Sequence, residues 1–93
     1  MSKKKRNIAV LLTDFGNAEL ANPLRLWLKQ SDMFGSYVYC KSVEPNGPYF
    51  HMVIEVQHSE TETVDFEIQV QHSYIKAVIC AADFKKLGFT AEA

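Results

Sequence analysis

Two stretches of this chain alternate apolar and polar side chains, and a third is apolar almost throughout. Phe50, Met52, Ile54 and Val56 occupy every second position, and so do Val64, Phe66, Ile68 and Val70. A period of two sends one set of side chains into a core and the other toward solvent, so both stretches are expected strands. They are expected to pair so that the two apolar sets share a face. Residues 74–80 (Tyr-Ile-Lys-Ala-Val-Ile-Cys) lack the alternation, which predicts a strand covered on both sides. Parity sets Tyr74, Val78 and Cys80 on one of its faces, with Ile75, Ala77 and Ile79 on the other.

The remaining elements follow from shorter signals. The apolar stretch 7–13 fits a strand or a buried helix equally well. Asn22 is a good helix N-cap and Pro23 suits the first helical position. Leu24, Trp27 and Leu28 then form an i, i+3, i+4 stripe, predicting an amphipathic helix over 22–32 that ends before Gly35. An earlier helical start at Asn17 remains open, with Pro23 breaking any continuous helix. Residues 36–43 read as a strand joined to 49–58 through Glu44-Pro45-Asn46-Gly47-Pro48. Pro48 removes the N–H that a two-residue Asn-Gly turn would use, so a longer loop is expected. His72-Ser73 marks a sharp turn or bulge. Asp83 to Phe89 fits a short helical turn closed by Gly88.

The fold class expected is α+β. A strongly bent four- or five-stranded antiparallel sheet of small Sm-like or SH3-like barrel type is packed by the amphipathic helix and the C-terminal turn. Ninety-three residues at 47% hydrophobic and 23% charged suit one globular domain over 7–93, preceded by a disordered basic arm at 1–6. No apolar stretch approaches the ~20 residues of a membrane span, and no secretory signal follows the basic start. A cytoplasmic protein without membrane association is therefore expected. Cys40 and Cys80 lie among apolar neighbours in expected strands and read as inert buried thiols.

Charge narrows the partners. Four of the ten basic residues are Lys3, Lys4, Lys5 and Arg6, leaving six against eleven acidic residues in the rest, a net of −5. Affinity for phosphates comes chiefly from Lys and Arg that displace counterions, so nucleic acid is not the expected partner of the body. An RNA-binding role would have to use Lys3, Lys4, Lys5 and Arg6.

The chemistry-bearing residues do not converge. Val-Gln-His-Ser occurs at 56–59 and again at 70–73, but the expected pairing sends His58 and His72 to opposite ends of the hairpin. His51, of the other parity, points to the other face. Zinc needs its ligands within ~2.0–2.3 Å of one point, so no metal site is expected. Asp14-Phe15-Gly16 carries the letters of the kinase metal-binding triplet without the remaining kinase motifs, and nothing places a base beside Cys40. No catalytic residue, cofactor or enzymatic activity is expected. What remains is surface: Tyr37, Tyr39, Tyr49, Tyr74 and Val78 are candidates for an interaction surface, because tyrosine buries large area at small entropic cost.

The stretch Phe66-Glu-Ile68-Gln-Val70-Gln-His-Ser-Tyr-Ile75-Lys-Ala77-Val78-Ile79 resembles the end of an Sm-like small barrel. It is nearest to the stringent starvation protein B type of proteolysis adaptor. There too an alternating strand runs through a tight turn into a second apolar strand, and a Gly/aromatic pair like Gly88-Phe89 follows. Gln71-His72 stands where that family has a proline. The resemblance, over about residues 22–89, implies a dimer that holds peptides in an apolar groove. The leading functional expectation is accordingly a non-catalytic protein or peptide interaction module that forms a homo-oligomer, a dimer favoured. An Sm-like RNA binder and a small ligand-binding protein are the alternatives.

Overall fold

The computed structural model describes residues 7–81, and the side chains of 8–80. The basic arm and the expected helical turn at 83–89 lie outside the described residues. In chain order the elements are β1 (Asn7–Leu12), α1 (Asp14–Leu20), β2 (Leu28–Ser31), β3 (Gly35–Cys40), β4 (Ser42–Glu44), β5 (Phe50–Ser59), β6 (Glu62–Val70), a 3-10 turn at His72–Tyr74, and β7 (Ile75–Ala81). The strands form two antiparallel sheets, β2-β3-β1-β7 and β4-β5-β6. The α+β class therefore stands, but among the described residues the single bent sheet is replaced by two, and they do not close into a barrel.

The β5–β6 hairpin pairs as its alternation requires. Phe50 faces Val70, Met52 faces Ile68, Ile54 faces Phe66 and Val56 faces Val64. A bulge between Gln57 and Ser59 ends the regular ladder near the tip. On the inner side Phe50, Met52, Ile54 and Val70 join Val10, Leu12, Val38 and Cys40 of the other sheet, with Leu20 and Leu24, in one core. Fully burying a side chain of this size contributes about 1.5–3 kcal/mol, so this inter-sheet layer holds the two sheets together.

Two crossings join the sheets. Between β3 and β4 the chain turns a corner at Lys41, whose backbone N–H already bonds to Val53 of β5 (2.7 Å). The second crossing is the 3-10 turn between β6 and β7. The open register of 36–43 against 49–58 resolves as Ser42 opposite Val53, Val43 opposite Met52 and Glu44 opposite His51. The connecting loop runs from Pro45 to Tyr49, longer than a two-residue turn, as Pro48 predicts.

The stretch 7–13 is β1, and it lacks alternation because both its faces are buried. Val10 and Leu12 face the main core, while Ala9 and Leu11 form a second cluster with Tyr37 and Tyr39, with Phe34 and Ile79 against it.

The helix lies earlier than expected. Thr13 caps α1 through its hydroxyl, which accepts the Gly16 N–H (3.0 Å). Pro23 cannot donate to continue the ladder, so α1 ends before it. The expected helix over 22–32 is absent: Leu24, Trp27 and Leu28 share a single turn, closed by Leu28 N–H to the Leu24 carbonyl (2.9 Å). Their apolar stripe does face the core, but Leu28–Ser31 then pairs with Gly35–Val38. The three-residue loop of that hairpin is set by Ser31, whose hydroxyl accepts the Met33 and Phe34 N–H groups, and by Gly35 at φ +79°. The tertiary value of adding a strand beside β3 outweighs a three-residue helical stripe.

Candidate interaction surface

Strand β7 is the outermost strand of its sheet, held on one side by β1 and on the other unpaired among the described residues. It registers Ile79 on Ala9, Val78 on Val10 and Ala77 on Leu11, then slips so that Ile75 meets Leu12. That bulge at Lys76 shifts parity, and Ile75 and Tyr74 both pack against the main core. The strict two-sided split over 74–80 is thus corrected by one extra residue. The expectation that this strand is covered on both sides is corrected as well: Lys76, Ala77, Val78 and Cys80 are exposed.

The five candidate surface residues separate. Tyr37 (0% exposed) and Tyr39 sit inside the second cluster with ring centroids 5.3 Å apart, beyond reach of a partner in this state. Tyr74, half-buried in the 3-10 turn, meets Phe15 edge-on at 5.2 Å. Tyr49 (50% exposed) lies in the loop before β5, and Val78 (38% exposed) on β7. Alternation cannot distinguish a tyrosine facing an internal cluster from one facing solvent, which is why all four looked alike in sequence. Lys3, Lys4, Lys5 and Arg6 lie outside the described residues.

Cys80 is exposed on β7, where sequence reasoning placed a buried thiol. Cys40 is buried, and burial pushes its thiol up to about 12, well outside the range of a reactive nucleophile. Leu26 and Met33, both largely exposed, also escaped the sequence reading, because each sits in a turn where periodicity carries no signal.

The polar groups form separate pairs. On the outer face of the β5–β6 hairpin, His51 Nδ1 lies 2.9 Å from Glu67 Oε2 and the Lys41 ammonium 3.0 Å from Asp65. Donating to Asp65, and the carboxylate's charge beside it, hold Lys41 above its usual range. At the other end, His72 Nε2 donates to the Gly47 carbonyl (2.8 Å) and its ring stands edge-on to Phe50. The register puts His58 at the bulge near the hairpin tip, far from His72. Among the described residues no three His, Cys, Asp or Glu side chains gather where a metal ion could sit. No described helix is long and apolar enough to cross a membrane. No family model matches the chain, and no curated protein or solved structure matches it either.

Proposed function

We propose that this protein is a non-catalytic interaction module that self-associates, and that the open edge of β7 is the surface through which it does so. One observation carries the reading: a seven-residue strand ends a sheet with Val78 and Cys80 exposed and one side of its backbone unpaired among the described residues. Such an edge offers a row of free N–H and C=O groups to another strand. Tyr49 and Val78 are the accessible members of the candidate set; Tyr37 and Tyr39 serve the interior. A distant architectural kinship with the Sm-like barrels of the adaptor type belongs to the same proposal, supported by the order of alternating β6, tight turn and apolar β7.

The test is the solution mass across concentration, for the wild type and for Val78→Lys. Val78 suits this purpose better than Tyr74, whose ring and backbone are both engaged within the fold. The proposal expects a wild-type dimer and a monomeric variant with unchanged circular dichroism. A wild-type monomer at every concentration overturns it.

A further inference from the structure

The sheet β2-β3-β1-β7 buries side chains on both faces, and the described residues cover one of them. Against the first face lie β5, β6, Leu20 and Leu24, in one core with Val10, Leu12, Val38 and Cys40. The second holds Ala9, Leu11, Tyr37 and Tyr39, with Ile79 and Phe34 packed on them. Every member of that cluster belongs to the sheet itself or to the β2–β3 loop. Side chains stand roughly perpendicular to a sheet, so neighbours within it enclose their flanks and leave their tips open. Yet Tyr37 is 0% exposed and Leu11 3%. The enclosure is that of a single chain, so the cover comes from residues 1–6 or 82–93.

We infer that residues 82–89 fold back over this face and seat Phe84 and Leu87 on Leu11, Tyr37 and Tyr39. Composition chooses between the two ends. Residues 1–6 carry Lys3, Lys4, Lys5 and Arg6 with Met1 as their one apolar side chain, and a cation buried without a partner is costly. Residues 82–89 carry Phe84, Leu87 and Phe89, and the first two stand i, i+3, on one side of the helical turn that 83–89 predicts. Reach agrees. Strand β7 ends at Ala81 opposite Asn7, and Leu11 pairs with Tyr37 four residues further along β1, about 13 Å away at ~3.3 Å per residue. The eight residues 82–89 span ~12 Å even when wholly helical. Ala77, opposite Leu11 on the same face, is exposed, so the cover crosses β1 toward β3 and stops short of Ala77.

The test uses the full chain. In isotope-edited nuclear Overhauser spectra of the wild type, the Phe84 ring and the Leu87 methyls should contact the Tyr37 and Tyr39 rings within one molecule. Leu87→Asp gives a second readout, N-acetylimidazole labelling mapped by peptide mass. Tyr37 and Tyr39 should be unlabelled in the wild type and labelled to the level of Tyr49 in the variant, while Cys40, in the other core, stays closed to maleimide. Contacts to these rings from Met1 in place of Phe84 and Leu87 would overturn the assignment. So would contacts seen only between differently labelled copies, which mark a second chain on this face. A Leu87→Asp protein whose Tyr37 and Tyr39 stay as closed as in the wild type overturns it too. The wild-type spectra decide whether or not the variant keeps its fold.

Discussion

Gly16 lies directly against the backbone of Tyr74: a Cβ on Gly16 would fall 2.8 Å from the Tyr74 Cα and closer still to its carbonyl oxygen. The same carbonyl accepts the Thr13 N–H (2.9 Å). The first turn of α1 is thus docked on the 3-10 turn that delivers the chain into β7. Replacing glycine by alanine within a helix ordinarily stabilises it by ~1 kcal/mol. Here overpacking against backbone, which cannot rotate away, costs ~1–3 kcal/mol and wins. Gly16→Ala should lower the urea midpoint; a raised midpoint would show that the two turns are not in contact.

Thr13 makes the same junction through its side chain, donating to the Ser73 carbonyl (3.0 Å) while accepting from Gly16. Thr13→Ala should cost ~1–2 kcal/mol, the upper part of the range for a lost N-cap, because a second bond goes with it. Thr13→Ser keeps the hydroxyl and should recover most of the loss in the same denaturation experiment.

The two thiols should behave as opposites. A maleimide at neutral pH is expected to add once to the native protein, at Cys80, and twice in denaturant, read as intact mass. Cys40 also couples stability to alkaline pH. Its folded pKa is raised from 9.0 to about 12, so the native state holds a proton that the unfolded chain has released. That contribution is complete below pH 9 and is lost as pH rises toward 12, by at most ~1.4 kcal/mol per pH unit. Cys40→Val should flatten the alkaline decline relative to the wild type.

Trp27 and Phe66 meet at 5.3 Å between ring centroids and tie the turn after α1 to the β5–β6 hairpin. A double-mutant cycle with Trp27→Leu and Phe66→Leu should return a coupling of ~0.5–1.5 kcal/mol. Phe66→Leu should also shift the emission of Trp27, the single tryptophan, and an unshifted spectrum would place the indole elsewhere.

Sequence periodicity was informative where one face of an element meets the core and the other meets solvent. That condition holds for β5 and β6, and their register follows from Phe50 to Val56 against Val64 to Val70. It fails for β1 and β3, buried on both faces, where Val10 and Ala9 give the same apolar signal although they enter different clusters. It fails again at 22–32, where three core-facing residues imitate a helix within one turn. The start of α1 was hidden because its cap is Thr13 bonded to Gly16, a residue chosen for close approach to Tyr74 and not for helix propensity. For the candidate surface, composition singled out tyrosines, but exposure is decided by strand order. Among the described residues that order leaves β7 at the edge, with Val78 and Cys80 exposed and Tyr37 and Tyr39 enclosed.

Amide hydrogen exchange along β7, followed at two protein concentrations, tests the open-edge account most directly. Outward-facing amides between Ile75 and Ala81 should slow as concentration rises, with β6 unaffected, and Val78→Lys should abolish the concentration dependence. Exchange along β7 that is the same at micromolar and millimolar protein would contradict it.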